Sequence, residues 1–221
     1  MTRFPPRYEM PQFPAFASLL RMTTKYGFSN VRDQLVKDLE GAYPAEWEDY
    51  QSAKVLGEDF FGSPKPHPNA VLNLFEAQKV KFAIPFAAYR ASIGGLKALM
   101  SDRPGTVLPR RTLATAIYGM HILQSMAVHA ARMVAYRGDL WVCADKACVL
   151  GVDTNPIQAR MEAVGRIYET MIDQREGGVL STPCLEHLLC QECAKRVTVI
   201  HACYSSACWE RLGLVFNVSD G

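Results

Sequence analysis

The stretch LPRRTLATAIYGMHILQSMAVHAARMVAY, residues 108–136, decides what kind of protein this is. It is the most apolar long run in the chain. Between Leu113 and Ala135 it carries His121, Gln124, His129 and Arg132. That is too many polar groups for a span facing lipid. Leu108-Pro-Arg-Arg-Thr reads as a helix start and Gly138 as its stop. The expectation is a long buried helix of a soluble protein, with no membrane partner.

The rest of the chain repeats this character. Phe16, Leu19, Leu20 and Tyr26 fall near one helical face, with Gly27 as a stop. Ser29 begins a second helix, in which Val31, Leu35, Val36 and Leu39 form an amphipathic stripe. A helical turn is expected at 46–50. The segment 62–68 is loop by composition, with Asn69 as the N-cap of a helix over 70–82. Pro85 opens a further helix. Gly94-Gly95 and Arg103-Pro104-Gly105 break the chain. Asp153 to Pro156 cap another helix carrying Ile157, Met161, Val164 and Ile167. A last helix runs from about residue 185 to 214. Val197-Thr-Val-Ile is β-branched but lies inside a helical phase. No clean period-2 segment appears. The fold class is therefore all-α, an irregular bundle of about eight helices. Its expected parts are an extended or disordered 1–15, a helical hairpin 16–44, a helical domain 45–137 and a Cys-containing region 138–221.

Composition narrows the function classes. Of 221 residues, 49% are hydrophobic and 21% charged, which suits a globular core. The net charge is +2, and the only dense basic spots are at 109–111 and 195–196. Neither makes the basic face that duplex binding needs, so nucleic acid is not the expected partner. The N-terminus lacks the apolar core of a secretory signal. Seven cysteines without a signal point to a reducing compartment, cytoplasmic or nuclear.

Those cysteines hold the one metal-like pattern. Cys143-x4-Cys148 and Cys190-x2-Cys193 make a C-x4-C…C-x2-C set, with Cys184 and His187 as substitutes. Zinc takes four soft ligands in a tetrahedron, and short spacings let one segment supply two. The alternative readings are cysteines packed as small hydrophobes, as Cys203 and Cys208 look, or a redox pair. No strand precedes the C-x-x-C, as a thioredoxin-type motif would require. No nucleophile elbow or phosphate loop is present, and an enzyme is not expected.

One resemblance runs through most of the chain. Lys25-Tyr26 and Val31-Arg32 sit in a helical pair, Tyr43-Pro44 follows as a linker, and Ile84-Pro85-Phe86-Ala87-Ala88-Tyr89 comes next. Leu113 to Met120 then carries Gly119, and the chain ends on Cys190-x-x-Cys193 and Trp209-Glu-Arg-Leu-Gly-Leu-Val-Phe. In this order, over about 17–217, the chain resembles the C-terminal helical region of fungal BTB/POZ domain-containing proteins. Gly213 departs from the resemblance, standing where a Pro is usual. The resemblance implies that the BTB core would precede residue 17 and that only the last BTB helices remain here, as in a truncated product or a diverged paralogue. It also implies a non-enzymatic protein–protein interaction or adaptor module with protein partners. In that reading Leu19, Leu20, Tyr26, Val31 and Leu35 form the buried face of the hairpin, and the Cys pairs staple the C-terminal half, through zinc if they bind it. The competing classes are a small helical enzyme or ligand-binding domain with a reactive Cys, and a zinc-dependent nucleic-acid adaptor.

Overall fold

The structure is a computed structural model that describes residues 12–53, 60–136, 143, 162, 165–166 and 189–216. It is all-α. The helices among the described residues are α1 (Phe13–Tyr26), α2 (Ser29–Glu40), α3 (Trp47–Ala53), α4 (Pro68–Ala77), α5 (Ile84–Ile93), α6 (Gly95–Leu99), α7 (Arg110–Tyr136) and α8 (Gln191–Phe216). A 3-10 turn at Lys81–Ala83 leads into α5. Of the helix expected from Pro156 onward, only Glu162, Gly165 and Arg166 are described, and they are helical. The chain falls into two compact units: residues 1–117 with 215–221, and residues 118–214.

In the first unit α1 and α2 form a hairpin. Gly27 turns it at φ +71°, the left-handed conformation that suits glycine. The amide of Phe28 closes the helix end on Thr23 O at 2.9 Å. The inner face of α1 is Phe16, Ala17, Leu20 and Thr23. Phe16 meets Phe60 and Phe61 edge-on, at centroid distances of 5.7 and 5.5 Å. Edge-to-face pairs of this kind add to simple burial. A second aromatic group holds α5 in place. Tyr43 stands edge-on to Phe75 at 4.8 Å, and both Tyr43 and Tyr50 pack against Phe86.

The cap of α4 is His67, not Asn69 as the sequence suggests. The His67 Nδ1 accepts from the Asn69 amide at 3.2 Å, and Pro68 takes the first helical position. Asn69 is thereby released for another task. Its carboxamide is fully buried, and Nδ2 donates toward Ala98 O, Leu99 O and Thr106 O at 3.0–3.1 Å. One turn on, Asn73 Nδ2 reaches Val107 O at 2.9 Å. Thr112, at the start of α7, donates to Glu76 of α4 at 2.5 Å. Polar side chains on α4 therefore fasten the whole 98–112 connection. The other end of α4 closes as a Schellman motif, with Val80 N on Phe75 O and Lys79 N on Glu76 O. Its left-handed residue is Lys79, at φ +54°.

The long helix α7 differs from the buried helix expected. Among its residues whose burial is described, one stripe is buried: Thr112, Ala116, Gly119, Leu123, Ala127 and Ala130. Tyr118, His121, Gln124, His129 and Arg132 are exposed. The helix is amphipathic, and the polar groups that rule out a lipid-facing span sit on its wet side. The last helix, α8, runs unbroken over Gln191–Phe216. In the second unit its stripe of Cys193, Val197, His201, Ser205, Cys208, Trp209 and Leu212 is buried. There Cys208 Sγ rests 3.7 Å from Met126 Sδ of α7, and Tyr204 packs edge-on to His129.

Two substitutions test these ties. Asn69→Ala takes the side-chain donor from the buried Leu99 and Thr106 carbonyls, while Ala98 O keeps the Ser101 amide, and is expected to lower stability by about 2–3 kcal/mol in urea unfolding. Lys79→Gly relieves the left-handed strain and is expected to raise it by about 0.5–1 kcal/mol. A destabilised Lys79→Gly would show that the Lys side chain contributes more than the backbone costs.

Candidate functional site

Three of the expected metal ligands converge. The sulfurs of Cys143, Cys190 and Cys193 all lie within 4.8 Å of one another, and Cys143 and Cys190 stand 3.5 Å apart. That distance is far beyond the ~2.05 Å of a disulfide. Four sulfurs bound to one zinc at ~2.3 Å lie about 3.8 Å apart, so the observed spacing suits thiolates sharing a metal. The fourth expected ligand, Cys148, and the substitutes Cys184 and His187 lie outside the described residues.

The local fold explains the convergence. Cys190 immediately precedes α8, and its carbonyl accepts the Ala194 amide at 2.9 Å as the first helical bond. Cys193 follows in the first turn, so the C-x-x-C spacing sets both thiols at one helix end. Cys143 comes from 47 residues earlier. Cys193 is buried, while Cys143 and Cys190 are half-buried. The positive end of the helix dipole favours anionic sulfur at this point.

The remaining described cysteines behave as sequence spacing suggests. Cys203 and Cys208 are helix residues, the first exposed and the second buried. Burial pushes the Cys208 thiol up to about 12, opposed by the nearby charge of Arg211. At neutral pH it is a packed thiol against Met126.

The hairpin face is a correction to the sequence reading. Leu20 is fully buried, as expected, but Leu35 is only half-buried, and Leu19, Tyr26 and Val31 point outward, at 44%, 59% and 46% exposed. The reason is helical phase. Phe16, Leu20 and Thr23 set the inward direction, and Leu19 and Tyr26 fall on the flank, in line with Met22. Met22 and Phe28, which sequence reasoning passed over, are 53% and 57% exposed. Tyr26 and Phe28 lie with ring centroids 6.4 Å apart, and Lys25 Nζ stands 5.3 Å from the Tyr26 centroid. Helix α1 is thus apolar on two faces, and only one of them is used by the unit's core. Isolated exposed apolar side chains are ordinary. Five on one short hairpin mark a candidate interaction surface.

Two other features went unread in the sequence. A small cleft is lined by Tyr43, Phe61, Val71, Phe86 and Arg90. The Tyr43 hydroxyl in it is pushed up to about 12 by burial, with Arg90's charge working against that shift. The phenol therefore stays neutral far above physiological pH. On α8, His201 Nδ1 and Ser205 Oγ lie 3.2 Å apart. Both residues are buried, at 3% and 1% exposed, so this Ser–His pair meets no solvent-borne substrate. No helix among the described residues is long and apolar enough to cross a membrane.

Thiol chemistry separates these cysteines. A maleimide at pH 8 is expected to modify Cys203 at least tenfold faster than Cys208 in the folded chain, the difference vanishing in denaturant. Equal rates would contradict the burial of Cys208.

No protein-family model, no curated protein and no solved structure matches this chain.

Proposed function

We propose that the chain is a non-enzymatic protein–protein interaction module, an adaptor of the kind found in the helical region of BTB domain-containing proteins. One observation carries the reading: the exposed apolar side of the α1–α2 hairpin, Leu19, Met22, Tyr26, Phe28 and Val31. Each of these side chains is already about half covered, so a partner that buries the rest would gain roughly 1 kcal/mol from each. A Tyr beside a Phe is the type of pair that dominates interface energetics. The partner is a protein offering an apolar groove or helix, and the compartment is cytoplasmic or nuclear. The resemblance points the same way, because in a BTB protein this hairpin packs against other structure.

A structural zinc completes the reading. Cys143, Cys190 and Cys193 would hold it as thiolates, joining the segment around 143 to the start of α8. Bound zinc supplies folding free energy to a region whose cysteines are far apart in sequence.

The docking face is tested by affinity capture with the wild-type chain and with a Leu19→Asp/Tyr26→Asp variant. Both positions are exposed, so the variant is expected to melt within about 2 °C of wild type. Proteins held by the wild type and lost from the variant support the face. Identical captured sets from the two chains would remove it.

Elemental mass spectrometry tests the metal. About one zinc per chain is expected, lost in a Cys143→Ser/Cys190→Ser variant that also melts several degrees lower. A folded wild type without zinc would remove the metal from this reading.

A further inference from the structure

We propose that Cys143 and Cys190 form an oxidisable pair, a disulfide-forming modification site that responds to hydroperoxides. The proposal rests on the same meeting of thiols that supports the zinc reading, but it has its own chemistry and its own readout.

The geometry selects this pair among the three thiols. Cys143 and Cys190 are 3.5 Å apart, sulfur to sulfur. A bond needs ~2.05 Å, a closure within reach of a side-chain rotation. Both are half-buried, so a small peroxide reaches them. Cys193 is only 4% exposed and belongs to the buried stripe of α8. Cys190 stands immediately before the 26-residue α8, at its open N-terminal end, whereas Cys193 lies within the helix.

The steps balance. The Cys190 thiolate attacks one peroxide oxygen and the O–O bond breaks. The departing hydroxide, or alkoxide for an organic hydroperoxide, takes a proton. Cys190 is left as a sulfenic acid. The Cys143 thiolate then attacks the Cys190 sulfur, the S–O bond breaks, and hydroxide leaves to become water. Two thiols are oxidised to one disulfide, and one hydrogen peroxide is reduced to two waters. Where a metal is bound, oxidation removes two of its three described ligands and releases it. The new bond ties residues 47 apart in sequence.

The experiment uses the full chain, reduced and then treated with hydrogen peroxide, as purified and after a chelator. Tryptic digestion places Cys143 in peptide 138–146 and Cys190 in peptide 176–195. The expected product is a cross-link between these two peptides, with loss of two hydrogens. Fragmentation should locate it at Cys190, and dithiothreitol should reverse it. Cys143→Ser is expected to abolish it, and Cys203→Ser to leave it unchanged. If a bound metal is present, its release should track the cross-link.

A bond from Cys190 to Cys193 instead, or sulfinic acid without a cross-link, would overturn the proposal. So would unreacted thiols in both the purified and the chelated chain. The two readings separate cleanly. A Cys143–Cys190 bond in a chain that carries no zinc keeps the redox pair and removes the zinc. A zinc-bearing chain whose thiols never cross-link, even after chelation, does the reverse.

Discussion

The buried carboxamide of Asn69 is the constraint on which the first unit depends. One side chain on α4 reaches three carbonyls, in α6 and in the turn that follows it. Without it the 98–107 connection would have backbone acceptors buried with no donor, a cost few loops can bear. With it, that connection is held against α4, and α4 packs on α5. Asn73 and Glu76 lie on the same helix and continue the fastening to Val107 and Thr112. The first turns of α7 are therefore positioned by polar side chains rather than by apolar contact alone. His67 makes this possible by taking over the capping task.

Around that frame the apolar residues divide between structure and surface. Phe16, Leu20, Phe75 and Tyr89 disappear into the first unit. Leu19, Tyr26 and Val31 do not, although they are no less apolar. A helix with apolar residues on more than half its circumference cannot bury them all against one neighbour. The α1–α2 hairpin has such a surplus, and the surplus faces outward. That surplus is what supports an interaction role. The described Ser–His pair offers no comparable opening for chemistry, because it is sealed within the α8 stripe.

The cysteines divide in the same way. Cys208 is a hydrophobe against Met126, and Cys203 lies in solvent. Cys143, Cys190 and Cys193 form a group whose members come from two distant segments. Their closeness favours metal sharing when reduced and bond formation when oxidised. Both follow from thiol chemistry at a few ångströms, and neither requires any further catalytic apparatus.

Helix type and some helix ends, such as the Gly27 stop, were readable from residues alone. Period 3.6, prolines at first positions and Gly27 as a stop are local signals, and local hydrogen bonding obeys them. The same reading placed Val197 to Ile200 in a helix despite their β-branching, and its four candidate ligands, Cys143, Cys148, Cys190 and Cys193, include the three that meet. It failed where two local options are close in energy. His67 and Asn69 can both cap α4, and only the carbonyls arriving from 98–106 favour using Asn69 elsewhere. Leu19 and Leu20 are chemically alike and adjacent. Which one turns inward depends on where Phe60 and Phe61 meet α1, and those residues lie 40 positions away. Burial on a two-faced helix, and the meeting of thiols 47 residues apart, are set by long-range packing, which no local pattern encodes.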